Sequence, residues 1–143
     1  MNATIEVPKI DDFKRVNELA KQKDYFEVLM QNKEIFIAKL NNEIVGYVIF
    51  SIREKENPSM RYRKQLNIEA ICVDENCRGN GIGTLLLEHT KKVGKEQGCT
   101  DMYLTVNQEN KSAIKVYEKF GFKVKNIAYM MKIWNGGMKD DNR

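Results

Sequence analysis

Histidine is nearly absent from this chain and cysteine is scarce. His89 stands alone, and the only thiols are Cys72, Cys77 and Cys99. No C-x-x-C pair occurs, so there is no ligand set for a structural zinc, and no metal is expected. An odd number of cysteines at irregular spacing excludes a disulfide-stapled secreted fold and reads as reduced thiols. No apolar run reaches the length of a membrane-spanning helix, which removes the membrane as a partner. The first ten residues, "MNATIEVPKI", lack the basic start and apolar stretch of a secretory signal. Internal repeats and low-complexity blocks are missing too. These absences together lead to the expectation of a cytoplasmic protein.

What is present suits one globular domain. The 143 residues are 42% apolar and 31% charged, ordinary values for a chain with its own core. One domain over 1–134 is expected, followed by a polar tail, "NGGMKDDNR", at 135–143. The net charge of +4 is uneven: residues 1–60 hold 9 Lys/Arg against 10 Asp/Glu, and residues 61–143 hold 15 against 10. The second half therefore favours an anionic partner. Nucleic acid ranks low, because "RYRK" at 61–64 is the only dense basic run and no aromatics beyond Tyr62 interleave with it. A phosphorylated small molecule fits better.

Periodicity gives the elements. "TIEVP" reads as a short strand. A helix follows from Asp11 as cap, with Phe13, Val16, Leu19 and Ala20 on one face. "DYFEVLMQN" at 24–32 reads as a second helix. "EIFIAKL" and "EIVGYVIFSI" form a hairpin across Asn41 and Asn42, which tolerate positive φ. "QLNIEAICV" at 65–73 is the next strand. A helix from Ile82 to Gln97 lines up Ile82, Leu85, Leu86, His89 and Val93, with Gly98 just past its end. "DMYLTV" at 101–106 is a strand, and a helix from Asn110 to Phe120 puts Ala113, Ile114, Tyr117 and Phe120 on one face. "FKVK" and "IAYMMKIW" close the fold as a strand pair. The unit from 65 to 106 implies two parallel neighbours flanked by antiparallel pairs, a mixed α/β sheet.

The centre of interest is "CRGNGIG" at 77–83. Each glycine costs backbone entropy on folding, so three at alternate positions need a reason. A P-loop requires a lysine that is not there. A dinucleotide fingerprint fails on its third glycine, which would fall at Thr84 or Leu86. A bare turn needs one glycine, not three with an arginine. There remains R-x-x-G-x-G, carried by Arg78, Gly81 and Gly83 where a strand passes into a helix. The unsatisfied amides of a helix N-terminus bind anions, a missing Cβ lets phosphate oxygens approach, and Arg78 adds a fork of donors. This is a pyrophosphate cradle.

At this point "CVDENCRGNGIGTLLLEH" resembles the GNAT superfamily of acetyl-CoA-dependent N-acetyltransferases, whose signature is [Q/R]-x-x-G-x-[G/A] after the fourth strand. "NQENKSAIKVYEKFGF" resembles the family's N-x-x-A-x-x-x-Y-x-x-x-G-F segment through Asn110, Ala113, Tyr117, Gly121 and Phe122. The resemblance runs from about residue 33 to 134 and is sharp from 68 to 122. It implies a GNAT-like mixed central sheet, mostly antiparallel with a splayed parallel pair, flanked by about four helices.

It also implies roles. The co-substrate is acetyl-CoA, with no metal. Its pantetheine arm would pair with the main chain of Ile71, Cys72 and Val73. Arg78, Gly79, Asn80, Gly81, Ile82, Gly83 and Thr84 would hold the pyrophosphate. Asn110 and Ala113 would flank the pantetheine, and Tyr117, one helical turn after Ala113, would contact the sulfur and protonate the leaving thiolate. An amine acceptor must first lose a proton. The fourth strand offers Glu69 for this, out of pattern in "IEAICV", and alternation groups it with Ile71 and Val73. Core packing for Tyr117 and a surface ion pair with Arg61 or Arg63 for Glu69 are the plainer readings. Cys72 invites an acetyl-cysteine route, but only His89 could activate it. A small core cysteine and direct attack in a ternary complex are the simpler expectation.

The acceptor is a primary amine, on a small molecule or a protein, with a pocket built from the first helices and the hairpin around Tyr25, Phe26 and Tyr47. A slightly acidic first half favours a cationic amine such as a polyamine, an aminoglycoside or a protein N-terminus. A homodimer is compatible with the sequence without being read from it. The rival class is a non-catalytic acyl-CoA-binding sensor or partner module, against which stand both Glu69 and Tyr117.

Overall fold

A computed structural model describes residues 2–20, 33–55 and 63–134. The chain divides into two compact units, residues 1–107 and 108–143. The expected helix at 24–32, Tyr25, Phe26, Arg61, Tyr62 and the 135–143 tail lie outside the described residues.

The first unit is a five-stranded sheet in the order β1 to β5. Its strands are β1 (Thr4–Glu6), β2 (Glu34–Leu40), β3 (Glu43–Lys55), β4 (Arg63–Val73) and β5 (Asp101–Tyr103). Neighbours from β1 to β4 run antiparallel, and β4 and β5 run parallel. The mixed sheet with a parallel pair is as expected. The β2–β3 turn is the Asn41–Asn42 pair, both at positive φ, 53° and 65°. Two primed-turn residues match the right-handed twist of the strands they join.

Helix α1 (Phe13–Ala20) covers one face of the sheet. Val16 is fully buried among Ile35, Ile37, Ile44, Tyr47 and Ile49, and Phe13, Leu19, Ala20, Ala70 and Cys72 pack around them. Asp11 does not cap this helix. A 3-10 turn, Ile10–Asp12, precedes it, and the Asp12 carboxylate accepts from the Lys9 amide at 2.8 Å. Helix α2 (Ile82–Glu96) covers the opposite face. Its buried stripe is Ile82, Leu86, Leu87, Thr90 and Gly94. The stripe is thus turned from the expected one, and Leu85, His89 and Val93 flank it half-buried. Thr90 can sit in the stripe because its hydroxyl donates to the Leu86 carbonyl at 2.7 Å. Gly98, at φ 84°, follows the helix end as expected.

The second unit is described from residue 108 to 134. Helix α3 (Lys111–Phe120) exposes most of its length and half-buries Ala113, Ile114, Tyr117 and Phe120, the predicted face. Three α-helices stand among the described residues, against about four expected. Residues 122–134 form no strand, where two were expected. A β-rich run becomes a strand only when another strand takes its hydrogen bonds. Among its described residues the second unit holds no other strand to pair with, and Tyr129, Met130 and Trp134 are 93%, 99% and 78% exposed.

Two glycines show how closely α2 is packed. A Cβ on Gly46 would stand 2.9 Å from the Cys72 carbonyl oxygen, which is backbone. On Gly94 it would stand 2.9 Å from Leu66 Cδ1, the end of a side chain and not backbone, and the better helix propensity of alanine offsets part of the cost. Gly46→Ala should therefore destabilise by about 2 to 3 kcal/mol and Gly94→Ala by about 1 kcal/mol or less. Denaturant unfolding of both variants checks the order. Equal costs would contradict the packing.

Candidate functional site

The parallel pair holds together over a short stretch. Gln65 faces Asp101, Leu66 faces Met102 and Asn67 faces Tyr103, and there the pairing ends. Strand β4 continues to Val73. Among the described residues no strand takes the hydrogen bonds of its β5-side edge from Ile68 onward. Ile71, Cys72 and Val73, the residues of the expected pantetheine role, form the last stretch of this strand; Cys72 faces Tyr47 of β3, and the Val73 carbonyl accepts from Arg78 Nε at 3.2 Å.

A bulge coincides with the opening. Ile49 of β3 faces Ala70, and the next residue, Phe50, faces Ile68. Strand β4 therefore carries one residue more than β3 here, and that residue is Glu69. The extra residue breaks the alternation expected from sequence. Ile71 pairs with Val48 and Val73 with Gly46. Gly46 faces Leu86 and Ile82, and Val73 lies 3.8 Å from a Cβ placed on Gly83, so both sit on the α2 side. Glu69 instead joins the α1 side, grouped with Ala70 and Cys72 rather than with Ile71 and Val73.

There the Ser51 hydroxyl donates to Glu69 Oε1 at 2.9 Å. Lys33 Nζ lies 3.7 Å from Oε2 and Arg53 Nη2 lies 3.5 Å from Oε1. The Glu69 side chain is 24% exposed, less than the residue as a whole, so its open main chain contributes. Lys33 and Arg53 are thus two of its partners; Arg61 and the side chain of Arg63, the partners read from sequence, lie outside the described residues. Ser51, 7% exposed in the apolar run "YVIFSI", was the visible signal: a buried hydroxyl needs a partner.

Cys72 also faces α1, its thiol 3.7 Å from the Leu19 carbonyl oxygen. His89 is across the sheet on α2, edge-on to Phe36 with ring centroids 4.5 Å apart. The one histidine thus cannot activate the Cys72 thiol.

Beyond Val73 the loop closes on itself. Asp74 accepts from the Asn76 amide at 3.0 Å and starts a 3-10 turn, Glu75–Cys77. Arg78 Nε donates to the Val73 carbonyl at 3.2 Å, and the Asn80 side chain donates to the Cys77 carbonyl at 3.1 Å. Gly79 and Gly81 adopt φ of 83° and 78°. Gly81 is the N-cap of α2 and offers no side chain to its amides, while its carbonyl accepts the first helical bond from Leu85. The amides of Ile82, Gly83 and Thr84 are those that a helix start leaves over. A Cβ on Gly79 or Gly81 would meet nothing within 4 Å. The space over the loop is open, and these glycines are required by positive φ. Gly83 has ordinary helical φ. The donor set and the open space fit a pyrophosphate.

In the second unit the segment from Asn110 to Phe122 explains much of itself. The Asn110 side chain accepts from the Ala113 amide at 3.3 Å, capping α3. The Tyr117 carbonyl accepts from the Gly121 and Phe122 amides at 3.1 and 2.9 Å. The Tyr117 and Phe122 rings meet edge-on at 5.8 Å. None of this uses the Tyr117 hydroxyl, whose pKa is pushed above its ordinary 10.0 by desolvation.

Residues 4–122, running through both units, match the family model of the acetyltransferase (GNAT) family. The chain belongs to this family of acetyl-CoA-dependent acyltransferases. An N-alpha-acetyltransferase of Sulfurisphaera tokodaii is 32% identical over 126 residues, 80% of this chain and 74% of that protein. An uncharacterized N-acetyltransferase of Methanocaldococcus jannaschii is 34% identical over 105 residues, 72% of this chain. The matched part spans about half of that relative, 46% of its length. Among solved structures, an aminoglycoside N-acetyltransferase in complex with CoA shares the fold at a TM-score of 0.75 and 23% identity, over 90% of this chain and 98% of that one. No described helix is long and apolar enough to cross a membrane.

The two kinds of glycine in the loop separate in a substitution test. Gly81→Ala forces a side chain into the left-handed region and should cost about 1 to 2 kcal/mol. Gly83→Ala should cost less than about 0.5 kcal/mol, since its methyl makes an ordinary contact. Urea unfolding measures both, and a neutral Gly81→Ala would contradict the loop geometry.

Proposed function

We propose that the chain, with residues 1–134 acting as one domain, moves the acetyl group of acetyl-CoA to a primary amine, and that the acceptor is the α-amine of a peptide or protein N-terminus. One observation carries the first part: the open β4 edge leads straight into a helix start whose glycines and Arg78 suit a pyrophosphate. The acceptor class rests on the relative named as an N-alpha-acetyltransferase and on the slightly acidic first half.

In this reading the main chain of Ile71 to Val73 aligns the pantetheine, and Arg78 to Thr84 hold the pyrophosphate. Asn110 and Ala113 keep the pantetheine-flanking role implied by the motif. The amine nitrogen attacks the thioester carbonyl directly; a C–N bond forms and the C–S bond breaks. Glu69, fixed by Ser51, Lys33 and Arg53, passes the ammonium proton to water. Tyr117 gives a proton to the departing thiolate and regains one, through water, from the nitrogen as the amide forms; its raised pKa keeps the proton in place at neutral pH until then.

Thiol release from acetyl-CoA separates the acceptors. Peptides with free N-termini should turn over, while N-terminally blocked lysine peptides, a polyamine and an aminoglycoside should lag. A thermal shift with acetyl-CoA but no turnover on any amine would instead support a sensor.

Tyr117→Phe should lower kcat by about tenfold to a thousandfold with acetyl-CoA affinity held. In the wild type the alkaline limb assigned to Tyr117 should lie above pH 10, and it should vanish in the variant. An unchanged kcat returns Tyr117 to packing.

Glu69→Gln should depress kcat/KM most below the acceptor's pKa, roughly 8 for an α-amine. Activity should recover above it, where the amine arrives deprotonated. A variant pH profile parallel to the wild type would remove Glu69 from the base role.

A further inference from the structure

Asp74 is the hinge between the open strand and the cradle, and every polar atom it has is committed. Its amide donates to the Val45 carbonyl at 2.8 Å, and its carbonyl accepts from the Cys77 amide at 2.9 Å. Oδ1 accepts from the Asn76 amide at 3.0 Å. Oδ2 accepts from Arg15 Nη2 at 2.8 Å. Val45 can reach Asp74 because it is itself a bulged residue: Ala38 of β2 faces Gly46 and Lys39 faces Ile44. The two further bonds of the loop, Arg78 to Val73 and Asn80 to Cys77, end on the carbonyl ahead of this turn and on that of its last residue.

An asparagine would cap the Asn76 turn as well as an aspartate does. What the carboxylate adds is its second oxygen and its charge, and both are spent on Arg15. An acid just ahead of an anion-binding loop is otherwise unfavourable, because it repels the ligand. Arg15 neutralises it. The pair is shielded on one side, with Asp74 19% and Arg15 42% exposed. Glu18, one turn along, is a weaker second partner of Arg15 at 3.5 Å. The same helix touches β4 again through the Leu19 carbonyl and the Cys72 thiol. Helix α1 therefore fixes the end of β4 at Cys72 and, just past the strand, at Asp74.

We propose that Arg15 is a positioning residue for the pyrophosphate loop, acting through Asp74 and touching no substrate itself. The proposal rests on the acetyl-CoA reading above and adds a residue that lies outside both sequence motifs, on a helix that covers the other side of the sheet from α2.

The test is a double-mutant cycle on the whole chain: wild type, Arg15→Met, Asp74→Asn and the pair together. Acetyl-CoA affinity is read by calorimetry, and kcat and both KM values by thiol release. Arg15→Met and Asp74→Asn should each raise the Kd and KM for acetyl-CoA by about threefold to fivefold. The kcat and the acceptor KM should stay within about twofold. The double variant should be no worse than either single one, because one bond is lost in all three. Arg15→Lys, which keeps the charge, should recover part of the affinity. Arg15→Met binding like the wild type, or losses that add in the double variant, would overturn the proposal. So would equal damage to kcat and the acceptor KM, which marks a general loss of structure. A wild type that binds no acetyl-CoA at all would overturn the functional reading as well, and so is told apart from a failure of Arg15 alone.

Discussion

A strand has two edges of main-chain donors and acceptors, and each must be answered by something. Strand β4 answers one edge with β3 along its full length, from Arg63 facing Lys55 to Val73 facing Gly46. It answers the other with β5 for three residues only. The proposed cofactor site rests on that imbalance. Beyond Asn67 no described strand pairs with that edge, and the strand leads into the loop that starts α2; in the proposed reading a ligand able to act as a strand at one end and an anion at the other lies along both. Both faces of the sheet are covered: α1 with Val16 on one side, α2 with Leu86 and Leu87 on the other.

The loop itself is held by its own internal bonds. Arg78 spends its Nε on Val73, and Asn80 its amide on Cys77. Gly79 and Gly81 hold left-handed angles without contact above them. Rigidity comes from below and openness from above, which is what preorganised anion binding needs.

Much of this was legible in the sequence. The hairpin at Asn41–Asn42, the strand ahead of the glycines, the α3 face and the Gly98 terminator were all visible because each rests on local chemistry: positive φ, periodicity, capping. The family was legible because two motifs stood in order on the right elements. The face of Glu69 was not, because alternation is a rule for unbroken strands and a bulge leaves no mark that composition can reveal. The α2 stripe was turned because Thr90 and Gly94 read as polar and small. One buries its hydroxyl in the helix and the other admits Leu66. The closing strands were misread because strand propensity says nothing of whether a partner edge is there to receive them. The Arg15–Asp74 bond spans 59 positions, and nothing local announces it.

The register around Glu69 has a consequence at the level of the gene. On one side of it Ile68 faces Phe50, and on the other Ala70 faces Ile49. These are the pairings of a regular ladder from which residue 69 is missing. Loss of that single codon would join two correctly phased halves, leaving the α1 side and the α2 side with the residues they have now. The ladder gains nothing from the codon. Whatever keeps Glu69 in the chain is thus separable from what keeps the sheet folded, and this position can be gained or lost by insertion and deletion without rewriting the strand around it.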